Sequence, residues 1–115
     1  MSHYDLISKL LEDGVLKTKR IIEAFMEIDR ADFVKKEYIG EAYGDYPLPT
    51  EQGQTISQPS TVAFMLELLQ PAEGDRILDV GSGSGWSTAL LAQIAGPKGR
   101  VWGVELIGEL VKFGS

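Results

Sequence analysis

A short apolar run, "RILDV" (Arg76–Val80), passes without a spacer into "GSGSG" (Gly81–Gly85), then into "WSTALLAQIAG" and, after a "GPKG" turn, into "RVWGVE". The first and last runs are β-rich and bounded by turn residues, whereas Leu90, Leu91 and Ile94 recur at helical spacing and face one way. Strand, glycine turn, helix and strand, in that order, open a parallel doubly wound α/β sheet. A last helical fragment is expected from Ile107 to Phe113.

The glycines give that unit its chemistry. Gly81, Gly83 and Gly85 lack the Cβ atoms that would hold a backbone away from a ligand, and they accept the positive φ of a tight turn. Free N–H groups at the start of the next helix then face whatever is bound. Glu105 closes the second strand 20 residues after Gly85, where an acid can accept both hydroxyls of a ribose. A nucleoside-containing ligand is the expectation. The dinucleotide pattern G-x-G-x-x-G needs a glycine where Trp86 stands, so a redox module is disfavoured. Asp79, the acid of "LDVG", is a second candidate ligand residue; its plain structural use is to cap the turn.

Upstream the chain is helical. Ile7, Leu10 and Leu11 form a stripe that stops at Gly14, and Ile21, Ile22, Phe25, Met26 and Ile28 form another. The segment from Arg30 to Pro49 is irregular, rich in aromatics, glycine and proline, and reads as loop with a short hairpin. Pro59 suits a first helical turn, with Val62, Met65, Leu66 and Leu69 on the helix it opens. Between lies "EQGQTISQPS" (Glu51–Ser60), polar and without core residues; Thr55 and Ser57 either act on a ligand or cap the following helix.

With 115 residues, 43% hydrophobic and 24% charged, the chain reads as one domain, 1–115. Residues 1–58 are expected to form its helical and polar-loop region and 59–115 the unit that carries the glycine turn. Eleven basic residues against seventeen acidic ones leave a net charge of −6, which provides no basic field for nucleic acid. Cysteine is absent, so no disulfide or thiolate metal site forms, and no metal is expected. The N-terminus is charged and amphipathic, and no stretch approaches the ~18 apolar residues of a membrane span. A cytoplasmic protein with no membrane partner is the expectation.

"LDVGSGSGW" resembles the first motif of class I S-adenosylmethionine-dependent methyltransferases. Taken with "IDRADFV", "AYGDYPLPTEQGQTISQP" and "VWGVEL", the chain resembles the protein-L-isoaspartate O-methyltransferases from about Asp29 to Leu106. It differs at Thr50 and Glu51, where the family usually has an Ile-Gly pair, and at Lys35, where proline is common. The resemblance implies S-adenosylmethionine as cofactor, held by Asp79 near its methionine end, by Gly81, Ser82, Gly83 and Gly85 along the turn, and by Glu105 and Leu106 at the ribose side. It implies methyl transfer to the α-carboxylate of L-isoaspartyl residues in damaged proteins and peptides, with Ser57 and Thr55 as catalytic residues and Gln54, Thr55, Ile56 and Ser57 against the substrate. The alternative is an incomplete module that binds cofactor or peptide without turnover.

The residue types suit the reaction. An α-carboxylate, with a pKa near ~3.5, is already ionised at neutral pH and needs no general base. The protein must supply alignment, exclusion of water and hydroxyl or amide donors that orient the acceptor. The only histidine, His3, lies far from any motif and is expected at the surface.

The resemblance also implies a truncated Rossmann-like fold: N-terminal helices and a hairpin, then a β-α-β-α unit with a short parallel sheet. The family's sheet has seven strands, and this chain carries the N-terminal two. "RILDV" would normally be paired on both sides, so one edge is left open. An open apolar edge invites association, and a homodimer or domain-swapped assembly is expected.

Overall fold

Ser2 and Asp5 start the fold. The Ser2 hydroxyl accepts from the Asp5 amide at 3.1 Å and the Asp5 carboxylate accepts from the Ser2 amide at 2.8 Å, a capping box that begins helix α1, His3–Glu12. The computed structural model describes residues 1–50, 53–81 and 83–104. Leu6, Ile7 and Leu10 point α1 into the core, whereas Leu11 is exposed, contrary to its place in the expected stripe. At 100° per residue Leu11 falls about 90° from the centre of the buried arc that Leu6 and Ile7 define.

Helix α2, Lys19–Glu27, buries Ile21, Ala24 and Phe25. Met26 turns outward and Ile28 follows the helix at its C-cap, so the expected stripe is narrower than five residues. Thr18 supplies no cap of its own. The Glu67 carboxylate does so from another helix, accepting from the Lys17 and Thr18 amides at 2.7 Å each and from the Thr18 hydroxyl.

Two 3₁₀ turns, Arg30–Phe33 and Lys36–Glu41, lead to strand β1, Leu48–Pro49, which pairs antiparallel with β2, Thr55–Ile56. The hairpin expected within 30–49 is displaced along the chain: only β1 falls in that segment, and its partner lies inside the polar loop. Helix α3, Pro59–Leu69, has proline in its first turn and buries Pro59, Val62, Ala63 and Leu66. Met65 and Leu69, expected inside, are exposed together with Phe64 and Leu68. The helix is apolar on both sides, and only the side carrying Val62 and Leu66 meets the core.

Strand β3, Arg76–Val80, pairs in parallel with β4, Arg100–Val104, in register from Arg76 opposite Arg100 to Val80 opposite Val104. Helix α4, Trp86–Ala95, crosses between them and buries Leu90, Leu91 and Ile94 as its spacing required. Ile77 and Val101 pack against the core from one face of this sheet. The other face is bare: Leu78, Val80, Trp102 and Val104 are 61%, 73%, 45% and 41% exposed. Among the described residues β3 has β4 as its one partner, and its second edge has none there. Gly99 makes the return to β4 possible, because a Cβ there would lie 2.6 Å from the Ala95 Cβ and 2.7 Å from the Asp75 carbonyl oxygen. The expected helix at Ile107–Phe113 lies outside the described residues.

Phe25 and Trp86 join the two halves, with ring centroids 5.8 Å apart and planes at 87°. That edge-to-face pair sets α4 against α2 and holds the glycine turn beside the hairpin.

Candidate active site

The turn after β3 needs its glycines. Gly81, Gly83 and Gly85 have φ of +75°, +56° and +96°, the left-handed region that a side chain resists. The Gly81 amide donates to the Val104 carbonyl at 2.6 Å, which anchors the turn to the neighbouring strand. Gly83 is buried against the polar loop: a Cβ on it would sit 3.9 Å from the Thr55 carbonyl oxygen. Gly85 is the N-cap of α4.

This approach creates a cleft between loop and turn, lined by Thr55, Ile56, Ser57, Gly81, Gly83 and Trp86 among others. Its room is about 30 Å³, enough for on the order of two waters. Contrary to the expectation that this loop holds no core residue, Ile56 is buried and belongs to the core, which fixes its polar neighbours at the cleft wall. Gln54 is exposed and is not among the lining residues; its carbonyl accepts from the Thr50 amide at 2.8 Å and closes the hairpin. Ser82, Glu105 and Leu106 lie outside the described residues.

Neither Thr55 nor Ser57 caps α3. The N-cap is Gln58, without a side-chain bond, and the Ser60 amide instead donates to the Asp45 carboxylate at 2.8 Å. Gln58 donates its side-chain amide to the Asp45 carbonyl at 2.9 Å, so one loop residue secures the helix start from outside.

Asp79 accepts from the Ser87 hydroxyl at 2.6 Å and from the Thr88 hydroxyl at 2.8 Å. The acid at the strand end thus clamps the first turn of α4 and sets the angle of the glycine turn between them. These bonds are directed at side chains of the helix rather than at the turn backbone, and so differ from the turn cap expected of this residue.

Arg30 was not singled out from the sequence, yet it organises the region. It is 1% exposed and donates to the carbonyls of Ala42 at 2.9 Å, Gly44 at 3.2 Å, Tyr46 at 2.9 Å and Ser57 at 3.1 Å. Its guanidinium lies over the Trp86 ring, 5.4 Å from the centroid. Burial lowers its pKa to about 10 despite the counter-pull of Asp45 and Tyr46, so it remains a cation at neutral pH. Flanked by Asp29 and Asp32, it reads in the sequence as a solvated charge. The one available signal is the irregular backbone at 42–46, whose carbonyls need donors from somewhere.

His3, expected at the surface, is half-buried. Its side chain is 17% exposed, packs 5.8 Å from the Tyr43 ring and donates through Nε2 to the Met26 carbonyl at 3.1 Å. Tyr43 in turn donates to Asp29 at 2.8 Å, and burial, reinforced by that carboxylate, pushes its hydroxyl pKa up to about 12. This cluster pins α1 to the end of α2, and His3 is not among the cleft residues. Among the described residues no group of three or more metal-ligating side chains converges, and no helix is long and apolar enough to cross a membrane.

Residues 1–114 match a family model described as protein-L-isoaspartate(D-aspartate) O-methyltransferase. A protein-L-isoaspartate O-methyltransferase of Aeropyrum pernix is 46% identical over 108 residues, covering 94% of this chain and 42% of the relative. One of Anaeromyxobacter dehalogenans is 51% identical over 92 residues, covering 80% and 43%. In three dimensions the chain is similar to a Plasmodium falciparum protein, described as a protein-L-isoaspartate O-methyltransferase and solved in complex with S-adenosyl-L-homocysteine. That match has a TM-score of 0.87 and 29% identity, over 99% of this chain and 53% of the other. A second solved structure, described as a protein-L-isoaspartate O-methyltransferase, matches with a TM-score of 0.85 and 31% identity, over 98% and 37%. The chain spans about half the length of the curated relatives it matches.

Proposed function

The chain belongs to the protein-L-isoaspartate O-methyltransferase family, and on that premise we propose that it transfers methyl groups from S-adenosylmethionine to the α-carboxylate of L-isoaspartyl residues in damaged proteins. One observation supports this above others: Thr55 and Ser57 line the same cleft as Gly81 and Gly83. A cofactor module alone has no need of a hydroxyl-bearing loop against its glycine turn.

The turn fits the amino-acid end of such a cofactor. A Cβ at Gly81 would meet nothing within 4 Å, so bare backbone faces open space at the strand end where Asp79 stands. In this reading Asp79, Gly81, Ser82, Gly83 and Gly85 hold that end, with Glu105 and Leu106 at the ribose. When bound, S-adenosylmethionine supplies a methyl group made electrophilic by its sulfonium. The chain's own work is positional. Thr55 and Ser57 orient an acceptor that is ionised at neutral pH, and the buried Ile56 between them keeps both at the wall. Gln54, exposed beside the cleft, meets the substrate peptide outside it.

The test is a methyl-transfer assay with labelled cofactor on an isoaspartyl peptide beside its aspartyl twin. Turnover on the first alone, lost in Ser57→Ala and Asp79→Ala, is the expected result; equal labelling of both peptides would overturn it. The small cleft, about 30 Å³, favours a second reading in which this chain binds cofactor or peptide without turnover. Calorimetric binding in the absence of transfer selects that reading.

The open edge of β3 and the exposed Leu78 and Val80 support a further part of the proposal, self-association into a homodimer or domain-swapped assembly that covers them.

A further inference from the structure

We infer that Arg30 is a positioning residue for methyl transfer: by holding the Ser57 carbonyl and stacking on Trp86, it sets the spacing of the acceptor loop from the glycine turn. The inference rests on the reading above, which gives Ser57 the acceptor carboxylate.

Arg30 has no carboxylate within ion-pair distance among the described residues, since the ion pairs found there use other cations. Its two terminal amino groups donate to backbone instead, while the buried Nε has no partner among the described residues. Ala42, Gly44 and Tyr46 lie in a stretch without strand or α-helix, and Ser57 lies 27 positions away. A buried cation is costly to desolvate, and here its return is the fixing of chain segments that no ladder of hydrogen bonds holds. The planar guanidinium fork can reach several carbonyls at defined angles, which a lysine ammonium on a flexible stem cannot.

The same group touches the other wall. Trp86 is the first residue of α4, directly after Gly85, and the next two residues carry the hydroxyls that hold Asp79. Arg30 therefore contacts the acceptor loop on one side and the helix that follows the glycine turn on the other. Trp86 is itself braced by Phe25, so movement at Arg30 passes to the loop rather than to the helix. The bond to residue 57 is to its carbonyl and leaves its hydroxyl for the substrate. Arg30 acts through Ser57 and not on the reacting atoms.

Misplacing reacting groups by about 1 Å costs on the order of 10²-fold in rate. Arg30→Met keeps side-chain bulk and removes every donor; Arg30→Lys keeps charge and loses the fork. In both variants we expect kcat to fall, by on the order of 10²-fold in Arg30→Met and less in Arg30→Lys. KM for the isoaspartyl peptide and the calorimetric Kd for S-adenosylmethionine should stay within about threefold, a split that general loss of structure does not produce. Arg30→Lys with kcat within threefold of wild type, or a parallel collapse of cofactor binding and cooperative melting, overturns the inference. If wild type itself transfers no methyl group, the functional reading has failed, and backbone hydrogen exchange decides for Arg30. Faster exchange in Arg30→Met confined to residues 42–46 and 55–58 supports it, while no change, or acceleration reaching α1, overturns it.

Discussion

The Ser87 hydroxyl lies 2.6 Å from the Asp79 carboxylate, tying the strand that precedes the glycine turn to the helix that follows it. Hydrogen bonds to charged groups are worth roughly 1.5–3 kcal/mol. Ser87→Ala should therefore lower stability by about 1–2 kcal/mol in urea denaturation, because Thr88 still holds the acid. Asp79→Asn should weaken cofactor binding more than Ser87→Ala does at equal loss of stability. Equal weakening in the two variants would show that Asp79 acts on the turn alone.

Glu67 makes stability pH-dependent. Burial works to raise its pKa, yet hydrogen bonds from Thr18, Lys17 and Gln70 prevail and hold it below the ordinary value of 4.5. A depressed folded-state pKa gives stability that is fully present above the unfolded value and lost as pH falls through the folded one. Wild type should thus lose stability below about pH 4.5, and Glu67→Gln should flatten that part of the curve while costing about 1 kcal/mol at pH 7. Identical acid limbs in chemical denaturation would assign the loss to other carboxylates.

Gly99→Ala should destabilise by about 1–3 kcal/mol, since its new methyl meets a backbone oxygen and a neighbouring Cβ well inside contact distance. Gly14→Ala tests the other way a glycine matters: its φ is +73° but a Cβ there meets nothing within 4 Å. Its cost should be about 1 kcal/mol, from backbone strain alone. Thermal melts of the two variants should rank them in that order.

If the open sheet covers itself by self-association, light scattering should show a mass that rises with concentration. Leu78→Lys combined with Val80→Lys, on the bare face of β3, should return it to the monomer value without lowering the melting temperature. A monomer at every concentration would remove the assembly from the proposal.

How far the fold was legible in the sequence follows from the range of the forces involved. The β3–turn–α4–β4 unit could be read because local spacing and backbone demand agree there: three glycines stand where φ is positive, and Leu90, Leu91 and Ile94 all turn inward. Helix faces were legible only in part. Met26, Met65 and Leu69 are apolar and correctly spaced, yet exposed, because spacing names a stripe without saying which neighbours reach it. Thr55, Ile56 and Ser57 meet the glycine turn, while Gln54 closes the hairpin instead. Arg30 and His3 were hidden for one shared reason: their hydrogen-bond partners lie 12 to 27 and 23 positions away, and nothing in their immediate neighbours announces burial.

The two tryptophans of the chain divide its spectroscopy between two events. Trp86 is 2% exposed beneath Arg30, and Trp102 is 45% exposed on the uncovered sheet face. Emission from Trp86 follows loss of the interior, whereas a blue shift from Trp102 records the moment something closes over that face. Trp86→Phe and Trp102→Phe separate the two signals, so unfolding and capture of the open sheet can be followed in one cuvette without a label.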